Sequence, residues 1–547
     1  MTRDRKEVTM REANLSRRGF LGLGAVAAVS TAAVGLAGCA SQAAPANEGG
    51  QAAEETSGYR FMQKPEPITE VDETHDYDVV VVGLGAAGMG AAIGAVKNGA
   101  KVAIVQKEIK GISQGNSCSG VDLEQSNEEG VLAYINKIMA ESDLRPKREL
   151  VDMYVRRSGE AVMAVYEYGQ AGSLPPIIRS ESDVTFEGTD AVAHAVVVAP
   201  GTKPIMWQDG IENFAEVAEA DPSIDIFYEY PGVQLVQDES GAVTGVICEI
   251  KNGGYAQFNA ANGVILATGD YQNDEEMVEV FCPDCVGFDF KQVNKTGDGH
   301  KMALWAGAHM ERVGHTKMIH DMDSGPMFTA DIPFLNVDMQ GNRFCDEKTN
   351  GSMMFINNLM RDWTEDKGQY CQIFDAAYEQ KYADSKPPTL EKLMVYMPEE
   401  DVERTGVIES LIDTYMCDTL EELAEKLQIK DVDNFLKTVN EYNKMCEAGI
   451  DSAFGKQGAY MQPIDTPPYI GTHRHVRVSA ILGGIDVDAQ LHALDENMEP
   501  IKGLFVAGNT AGPFYGGVDY PAGIPGMSVG RAVTFGYVAG ESAAQGK

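Results

Sequence analysis

A continuous apolar run, a glycine-rich segment and a second apolar run form the first clear pattern of the chain. They lie between Asp76 and Lys107, with four consecutive valines at 79–82 and another apolar run at 102–105. Runs without polar alternation are typical of strands buried on both faces. The segment between them is rich in alanine and glycine and long enough for a helix. The pattern therefore predicts a strand, a tight turn, a helix and a second strand.

The predicted turn carries glycines at the spacing G-x-G-x-x-G, namely Gly83, Gly85 and Gly88. In this pattern the first glycine permits the turn and the second lets a diphosphate approach the backbone. The third lets the helix pack on the strand. The context of strand and helix favours dinucleotide binding over an ordinary close-packed turn. The second strand ends at Gln106, where an acid normally holds a ribose hydroxyl, so we expect a weaker contact there.

The pattern changes twice further along the chain. Residues 376–450 lose the glycine-rich character and become Lys/Glu-rich helical sequence, and the glycine-rich character returns at Leu482–Gly484. This change predicts a domain that is interrupted by an insertion. Helices are expected within 126–172, and short strands at 226–228, 232–236, 243–247 and 263–267.

Length and charge limit the kinds of function. The chain has 547 residues, enough for more than one core, and a formal net charge of −38. Such an acidic protein is a poor partner for nucleic acids and anionic membrane surfaces. Attraction to a basic redox protein is compatible with it.

The first 39 residues resemble an export signal. Ser16–Leu21 reads SRRGFL, a twin-arginine pattern, and the apolar segment after it is too short and too weakly hydrophobic for a membrane span. Leu36–Cys39 resembles a lipobox, so Cys39 is expected to become a lipidated N-terminus; the alternative is an ordinary cleavage site. Residues 40–75, rich in Ala, Gln, Glu, Pro and Ser, are predicted to be a flexible tether. We therefore expect an exported protein at the outer face of the cytoplasmic membrane or in the periplasm.

The cysteines offer few metal or haem sites. No C-x-x-C-H haem motif occurs, and Cys282-Pro-Asp-Cys285 is the one C-x-x-C pair. The pair has three interpretations: a disulfide, two ligands of an iron–sulfur cluster, or two ordinary thiols. A cluster needs about four thiolates, so Cys118 and Cys345 would have to lie nearby.

Eight segments, in order, resemble the flavoprotein family of soluble fumarate reductases (flavocytochrome c type), urocanate reductase and 3-ketosteroid dehydrogenases. They are VVVGLGAAGMGAA, QGNS, the hairpin V-x-L-V…G-x-V-x-G-V, VILATGDYQN, TGDGHKMALWAGA, GNRFCDE, GLFVAGNTAG and VTFGYVAG. The resemblance implies an α/β fold with a discontinuous Rossmann-type FAD-binding domain, 76–325 and 476–547. It also implies an inserted α+β capping domain, 326–475, that closes over a non-covalently bound flavin.

The resemblance also implies the residues that contact FAD. By position they are Gly83, Gly85, Ala87, Gly88, Gln106, Gly115, Asn116, Ser117, Val233, Ala267, Thr268, Gly269, Asp298, Gly508, Asn509, Ser528 and Val529. A helix that begins near Gly526 would point its N-terminus at the N1/C2 carbonyl edge of the flavin and favour the anionic reduced form. Arg343, in the GNRF segment, is expected to form structural ion pairs.

This sequence differs from the family at positions that would contact the substrate. The reductases' proton-donating arginine corresponds to Gly351, their carboxylate-clamping arginine falls near Gly523, and a substrate histidine falls near Ser479 or Ala480. A small dicarboxylate would leave an unpaired buried charge, which is costly. Fumarate itself is therefore not the expected substrate.

A tyrosine loop stands in place of the clamp. Gly512–Pro521 contains Tyr515 and Tyr520 and resembles the Tyr-Pro-Gly loop of ketosteroid dehydrogenases. A phenol and backbone N–H groups can stabilise a developing enolate; simple loop packing is the alternative. His320 is the favoured proton donor, and His473, His475 and Arg477 are further candidates.

Together these features predict an exported FAD-dependent oxidoreductase that transfers hydride to a C=C bond conjugated to a carbonyl, as in an enone or unsaturated lactone. A separate cytochrome or FMN protein would supply electrons, as in anaerobic respiration. The alternatives are a 3-ketosteroid-type dehydrogenase, a reductase of an unsaturated carboxylate, and, from another class, a solute-binding lipoprotein.

Overall fold

The structure is a computed structural model, and its described part begins after the predicted signal. It describes residues 58–201, 207–251, 253–320, 326, 329, 332–348, 366–397, 414–517, 520 and 526–547, and for His320 the backbone alone. The predicted signal, the lipobox and most of the predicted tether lie outside these residues. Within them, no helix combines the length and apolar character needed to cross a lipid bilayer.

The strands, numbered in chain order, are Glu73–Val82 (β1), Val102–Gln106 (β2), Cys118–Asp122 (β3), Ile177–Thr185 (β4), Val192–Ala199 (β5), Ile224–Tyr228 (β6), Gly232–Gln237 (β7), Val243–Glu249 (β8), Tyr255–Leu266 (β9), Lys317–His320 (β10), Leu335–Asp338 (β11), Gln369–Asp375 (β12), Thr414–Cys417 (β13), Tyr469–His475 (β14), Arg477–Ile481 (β15), His492–Leu494 (β16) and Pro500–Val506 (β17).

The α-helices are Ala86–Lys97 (α1), Glu128–Glu141 (α2), Arg148–Gly169 (α3), Trp207–Glu219 (α4), Glu275–Phe281 (α5), Asp298–Trp305 (α6), Tyr378–Lys381 (α7), Leu390–Met394 (α8), Leu420–Lys426 (α9), Val432–Ala448 (α10) and Met527–Ala544 (α11).

The largest sheet has the order β16-β17-β9-β1-β2-β6, and the hairpin β7-β8 joins it through β9. The central neighbours β9, β1, β2 and β6 are parallel, as are β17 and β9. Val79–Val82 are buried, since helices or loops cover both faces of the sheet. The predicted α/β class and Rossmann-type start are therefore confirmed.

Two helices pack closely beside this sheet because their contact surfaces carry glycine. A Cβ atom at Gly90 of α1 would lie 2.3 Å from the carbonyl oxygen of Val533 in α11. In the reverse direction, a Cβ atom at Gly536 would lie 2.0 Å from the carbonyl oxygen of Ala87. The backbones are thus too close for side chains at these positions, which explains the Ala/Gly-rich sequence of α1.

A second sheet lies in the range predicted for the inserted domain. It is antiparallel with the order β11-β12-β14-β13. Helices α9 and α10 and this sheet supply a separate hydrophobic cluster that includes Val337, Ile373, Leu423 and Phe435. The short pair β10-β15 comes from the two sides of the insertion in the sequence.

The end of the predicted tether differs from expectation. Phe61 is 3% exposed and belongs to the main hydrophobic core, and its carbonyl oxygen accepts a hydrogen bond from Trp305 at 3.0 Å. Arg60 pairs with Glu276. The described stretch from residue 58 to β1 thus packs on the domain and is not a free tether, because it contains an aromatic anchor that composition alone did not reveal.

Candidate functional site

A cleft opens at the carboxyl ends of β1, β2 and β9, where ligands bind in parallel α/β sheets. Together with its open mouth it encloses about 1160 Å³. Its walls are the glycine turn after β1, the end of β2, the segment after β9, the loop before α6 and the start of α11. The cleft therefore has the place expected for a dinucleotide.

The glycine turn has the geometry that the sequence pattern predicted. Gly83 has φ +107°, and a Cβ atom there would lie 2.5 Å from the carbonyl oxygen of Ala267. A Cβ atom at Gly88 would lie 2.0 Å from the carbonyl oxygen of Gly83, so this glycine serves helix packing. Gly85, the N-cap of α1, makes no side-chain cap, which leaves first-turn N–H groups for a ligand. This cradle fits the diphosphate of a dinucleotide.

Most of the residues predicted to contact FAD line the cleft. They are Gly83, Gly85, Ala87, Gln106, Ala267, Thr268, Gly269, Asp298, Gly508, Asn509, Ser528 and Val529. The predicted residues outside its lining are Gly88, Gly115, Asn116, Ser117 and Val233, although the neighbours Gln114 and Gly232 do line it. The individual contacts remain predictions.

Gln106 is held by the backbone. Its side-chain oxygen accepts a hydrogen bond from the N–H of Leu84 at 3.2 Å, and its nitrogen donates to the carbonyl oxygen of Lys110 at 2.8 Å. The amide thus braces the glycine turn. Less hydrogen-bonding capacity is left for a ribose hydroxyl than the sequence suggested.

Two lysines of the cleft were missed by the sequence analysis. The Lys107 ammonium lies 2.9 Å from a carboxylate oxygen of Asp298 and 3.1 Å from the hydroxyl of Thr296. Lys295 stands beside Gly269: a Cβ atom built there would lie 3.3 Å from its Nζ. The sequence offers no signal for either lysine, since only the fold brings the end of β2 and the loop before α6 to one cleft.

The start of α11 forms one wall of the cleft. Gly526, in the left-handed region at φ +78°, is the N-cap of this helix. A Cβ atom at Gly526 would lie 3.2 Å from the hydroxyl of Ser117, and one at Gly115 would lie 2.7 Å from Val529. The predicted loop 115–117 therefore packs against the helix start, with Ser528 and Val529 between it and the cleft.

Tyr520 reaches the same helix start. Its phenol oxygen accepts a hydrogen bond from the N–H of Ser528 at 3.1 Å. Burial raises the pKa of Tyr520, and the neighbouring Tyr515 raises it further, so the phenol remains protonated at neutral pH. This residue can donate a hydrogen bond close to the cleft.

Tyr515 occupies a more internal position. It is 1% exposed, its ring centre lies 5.7 Å from that of Tyr520, and the Arg531 guanidinium carbon lies 5.0 Å from the Tyr515 ring centre. Arg531 is itself buried and donates to the side-chain oxygen of Asn509 at 2.7 Å. Tyr515 is thus placed to support Tyr520 and does not line the cleft.

The favoured proton donor lies on a short strand opposite an arginine. His320, the last residue of β10, is the register partner of Arg477 in β15. Ser479 and Ala480, the positions compared with a substrate histidine, lie on β15 and are buried. Gly351 and Gly523 lie outside the described residues.

Two of the further candidates, His473 and His475, and the intervening Arg474 have structural partners. Arg474 donates to the side-chain oxygen of Gln372 at 2.6 Å and to the hydroxyl of Thr329 at 2.6 Å. His473 contacts Gln369 at 3.1 Å, and His475 contacts Asp289 at 3.1 Å. These side chains are engaged within the protein.

A buried group of titratable residues lies behind the cleft. Burial lowers the pKa of His300 to about 4 and that of His315 to about 3, and His315 shares a hydrogen bond with the hydroxyl of Tyr271. Burial raises the pKa of Glu311 to about 8, although the N–H of Gly484 donates to its carboxyl group at 3.2 Å. These groups are therefore neutral or largely protonated near pH 7, a property that the sequence does not reveal.

The two cysteines of the C-x-x-C pair are close together. Their Sγ atoms lie 3.4 Å apart, and both residues are buried. Within the described part of the chain, Asp284 is the further group that could join them at a metal ion, and neither Cys118 nor Cys345 belongs to this group. The described cysteines thus do not assemble the four ligands of a typical iron–sulfur cluster, and Cys282 and Cys285 are two free thiols in this structure.

Comparisons with known proteins agree with this geometry. The chain is 26% identical over 508 residues to vinyl phenol reductase of Lactiplantibacillus plantarum, covering 86% of this chain and 97% of the relative. It is 26% identical over 601 residues to digoxin reductase of Eggerthella lenta, covering 97% of both. An open flavocytochrome c3 fumarate reductase shares the fold, with a TM-score of 0.65 and 24% identity over 87% of this chain and 79% of the other.

Fumarate reductases, a urocanate reductase and a 3-ketosteroid dehydrogenase are also among the matches, which confirms the family resemblance. The relatives named as reductases support the prediction of an FAD-dependent oxidoreductase that acts on C=C bonds. The model of the family described as "FAD binding domain" matches residues 78–525. This chain therefore belongs to the FAD-binding-domain family and is an FAD-dependent oxidoreductase.

Proposed function

We propose that this enzyme reduces a C=C bond conjugated to an uncharged carbonyl group, as in an enone or an unsaturated lactone. The observation that carries the proposal is the hydrogen bond between Tyr520 and the N–H of Ser528. It holds a protonated phenol at the helix start that lines the FAD cleft. A phenol suits a neutral carbonyl, whereas a carboxylate calls for a cation.

The residues have separate tasks in this reaction. The Tyr520 phenol would donate a hydrogen bond to the substrate carbonyl, and the N–H it accepts from Ser528 makes it a better donor. The first N–H groups of α11 add positive electrostatic potential. His320, at the end of β10, would deliver a proton to the α carbon. Bound FAD supplies the hydride for the β carbon.

The inserted domain would close this site. Its sheet β11-β12-β14-β13 and helices α9 and α10 have their own hydrophobic cluster, so they can act as a unit that covers the substrate. Closure would exclude water from the reacting atoms. We propose that the boundaries are those predicted, 76–325 with 476–547 for the FAD-binding domain and 326–475 for the cap.

The reductive direction is supported by the twin-arginine pattern at Arg17 and Arg18. We propose export by that route and anchoring through a lipid at Cys39. An exported flavoprotein has little access to NADH, so a separate cytochrome or FMN protein would supply electrons in anaerobic respiration. The reverse reaction, dehydrogenation of a steroid-like ketone, is the alternative. The family match favours an enzyme over a solute-binding lipoprotein.

One observation favours a second candidate, the reduction of an unsaturated carboxylate. Arg477 is the strand partner of His320 and is 5% exposed. A guanidinium beside the proposed proton donor would pair with a carboxylate. In that case Arg477→Met should abolish turnover of acids and leave turnover of neutral enones intact.

The test is anaerobic oxidation of reduced methyl viologen by the signal-free protein. Fumarate, urocanate and cinnamate-type acids are compared with uncharged enones and unsaturated lactones, steroidal ones included. Turnover confined to uncharged substrates supports the proposal. If the enzyme instead turns over a carboxylate and this turnover depends on Arg477, the second candidate function replaces the first.

A further inference from the structure

The ammonium group of Lys295 is positioned by its backbone at the wall of the FAD cleft. Its N–H donates to the side-chain oxygen of Asn273 at 2.8 Å, and its carbonyl oxygen accepts from the N–H of Asn273 at 2.9 Å. The side chain runs beside Gly269, where a Cβ atom would be 3.3 Å from Nζ. The backbone of Lys295 is thus held by Asn273, and the absence of a side chain at Gly269 leaves room for the ammonium group.

Among the residues that the structure describes, this ammonium has no counter-ion at contact distance. Within the described ranges its Nζ takes part in no salt bridge and donates no hydrogen bond, whereas Lys107 and Lys301 are paired with Asp298 and Asp274. Burial lowers the pKa of Lys295, with only partial compensation from Asp270. That carboxyl is committed elsewhere, since it accepts from the N–H groups of Gln272 and Ile481. A partly buried cation in this state favours an anionic partner.

The glycine turn lies close to this ammonium. The Gly83 Cβ position is 2.5 Å from the Ala267 carbonyl oxygen and 3.3 Å from the Thr268 Cα atom, and Gly269 follows directly. The uncapped N-terminus of α1, a 12-residue helix, therefore faces the same part of the cleft as Lys295. Two independent features, free helix N–H groups and an unpaired cation, converge where a diphosphate would bind.

We propose that Lys295 is the counter-charge for the diphosphate of FAD and the main charged contact that retains the cofactor. Gln106 carries no charge, and its amide is bonded to Leu84 and Lys110. It therefore does not compete with Lys295 as a charged contact for the cofactor. Lys107 lines the same cleft but is neutralised by Asp298.

The experiment measures the dissociation constant of FAD from diluted holoenzyme by the fluorescence of released flavin, at several NaCl concentrations. Lys295→Met should raise the dissociation constant about tenfold or more and flatten its salt dependence, because a charge-assisted contact is lost. Lys295→Arg, which keeps the positive charge, should restore most of the FAD affinity and most of its salt dependence. The matched control is Lys301→Met, whose ammonium pairs with Asp274 outside the cleft lining, and it should stay within about threefold of wild type.

Either of two results would overturn the proposal. One is Lys295→Met with the affinity and salt dependence of wild type. The other needs no variant: a crystal structure of the wild-type holoenzyme in which Nζ of Lys295 is farther than about 4 Å from both phosphates of FAD. A distance of about 3 Å would support it even if Lys295→Met failed to fold.

Discussion

The phenol oxygen of Tyr520 lies 3.1 Å from the backbone nitrogen of Ser528 and accepts its hydrogen bond. Ser528 is the second residue of α11 and lines the FAD cleft. The bond links the loop with the predicted substrate tyrosines to the helix start near the flavin. Under the proposed function, this is the place where a substrate carbonyl would be polarised.

Tyr520→Phe should lower kcat for an uncharged enone about 10²–10³-fold, the usual effect of losing one donor to a developing oxyanion. The FAD content should be unchanged. Stopped-flow oxidation of the reduced enzyme by the enone measures this step. The matched control is Tyr537→Phe in α11, whose hydroxyl donates a hydrogen bond to Glu160 at 2.8 Å. Equal turnover by the Tyr520 variant and wild type would remove the phenol from the mechanism.

His320→Ala should lower turnover about 10²–10⁴-fold if this residue donates the proton. The wild-type rate should fall as pH rises through the neutral range, because the donor must be protonated, and the variant should lack this limb. Pre-steady-state rates from pH 5 to 9 measure both effects. His75→Ala, which removes an imidazole paired with Glu73, is the control. An unchanged pH profile in the His320 variant would mean that another acid protonates the substrate.

Glu311→Gln should change the pH dependence of stability. The folded-state pKa of Glu311, about 8, is above the ordinary value of 4.5. Wild-type protein therefore loses stability as pH rises from about 4.5 to about 8, by at most about 1.4 kcal/mol per pH unit. Glu311→Gln has no carboxyl group to titrate and so has no such loss. The difference in free energy of unfolding between the variant and wild type should therefore shift in favour of the variant up to about pH 8 and then level off.

Urea unfolding of the holoenzyme between pH 5 and 9 measures this advantage. Glu496→Gln is the control, because Glu496 has a side chain that is 74% exposed and pairs with Arg312. A pH-independent difference between wild type and Glu311→Gln would show that the Glu311 carboxyl titrates normally.

Arg343→Met should reduce the free energy of unfolding by about 3–5 kcal/mol, because it leaves buried Asp451 without its cation and Glu347 with Lys456 alone. Arg343 lies 2.9 Å from Glu347 and 2.8 Å from Asp451, and the three side chains are at most 5% exposed. These ion pairs are the structural role that the sequence predicted. Arg312→Met, at an exposed pair, should cost about 1 kcal/mol or less. Equal unfolding midpoints for the two variants in urea would contradict this expectation.

The cluster of Arg343, Glu347 and Asp451 also makes the stability of the protein depend on pH in the acid range. Burial raises the pKa of Asp451, but hydrogen bonds from Arg343 and from the N–H groups of Lys456, Phe454 and Ala453 lower it to about 2. The stabilisation is thus present above about pH 4 and is lost as pH falls toward 2. As pH falls from about 4 toward 2, the free energy of unfolding of wild type should decrease because Asp451 becomes protonated. The decrease should be smaller in Arg343→Met.

The sequence by itself determined the fold class and the diphosphate-binding turn. Both depend on local rules: β-branched runs form buried strands, and Gly83 and Gly88 stand where a Cβ atom would meet backbone. The family resemblance also implied the start of α11 near Gly526, and the structure has Gly526 as the N-cap of this helix. Family motifs added twelve of the residues that line the cleft.

Only the tertiary structure decided the charges of the site. Whether Lys107 is paired and Lys295 is not depends on residues from distant segments that meet at one sheet edge. Likewise, the protonated state of Glu311 comes from burial, and the Tyr520–Ser528 bond comes from the path of a loop. Solvation and distance set these interactions, and neither is encoded in the spacing of residues along the chain.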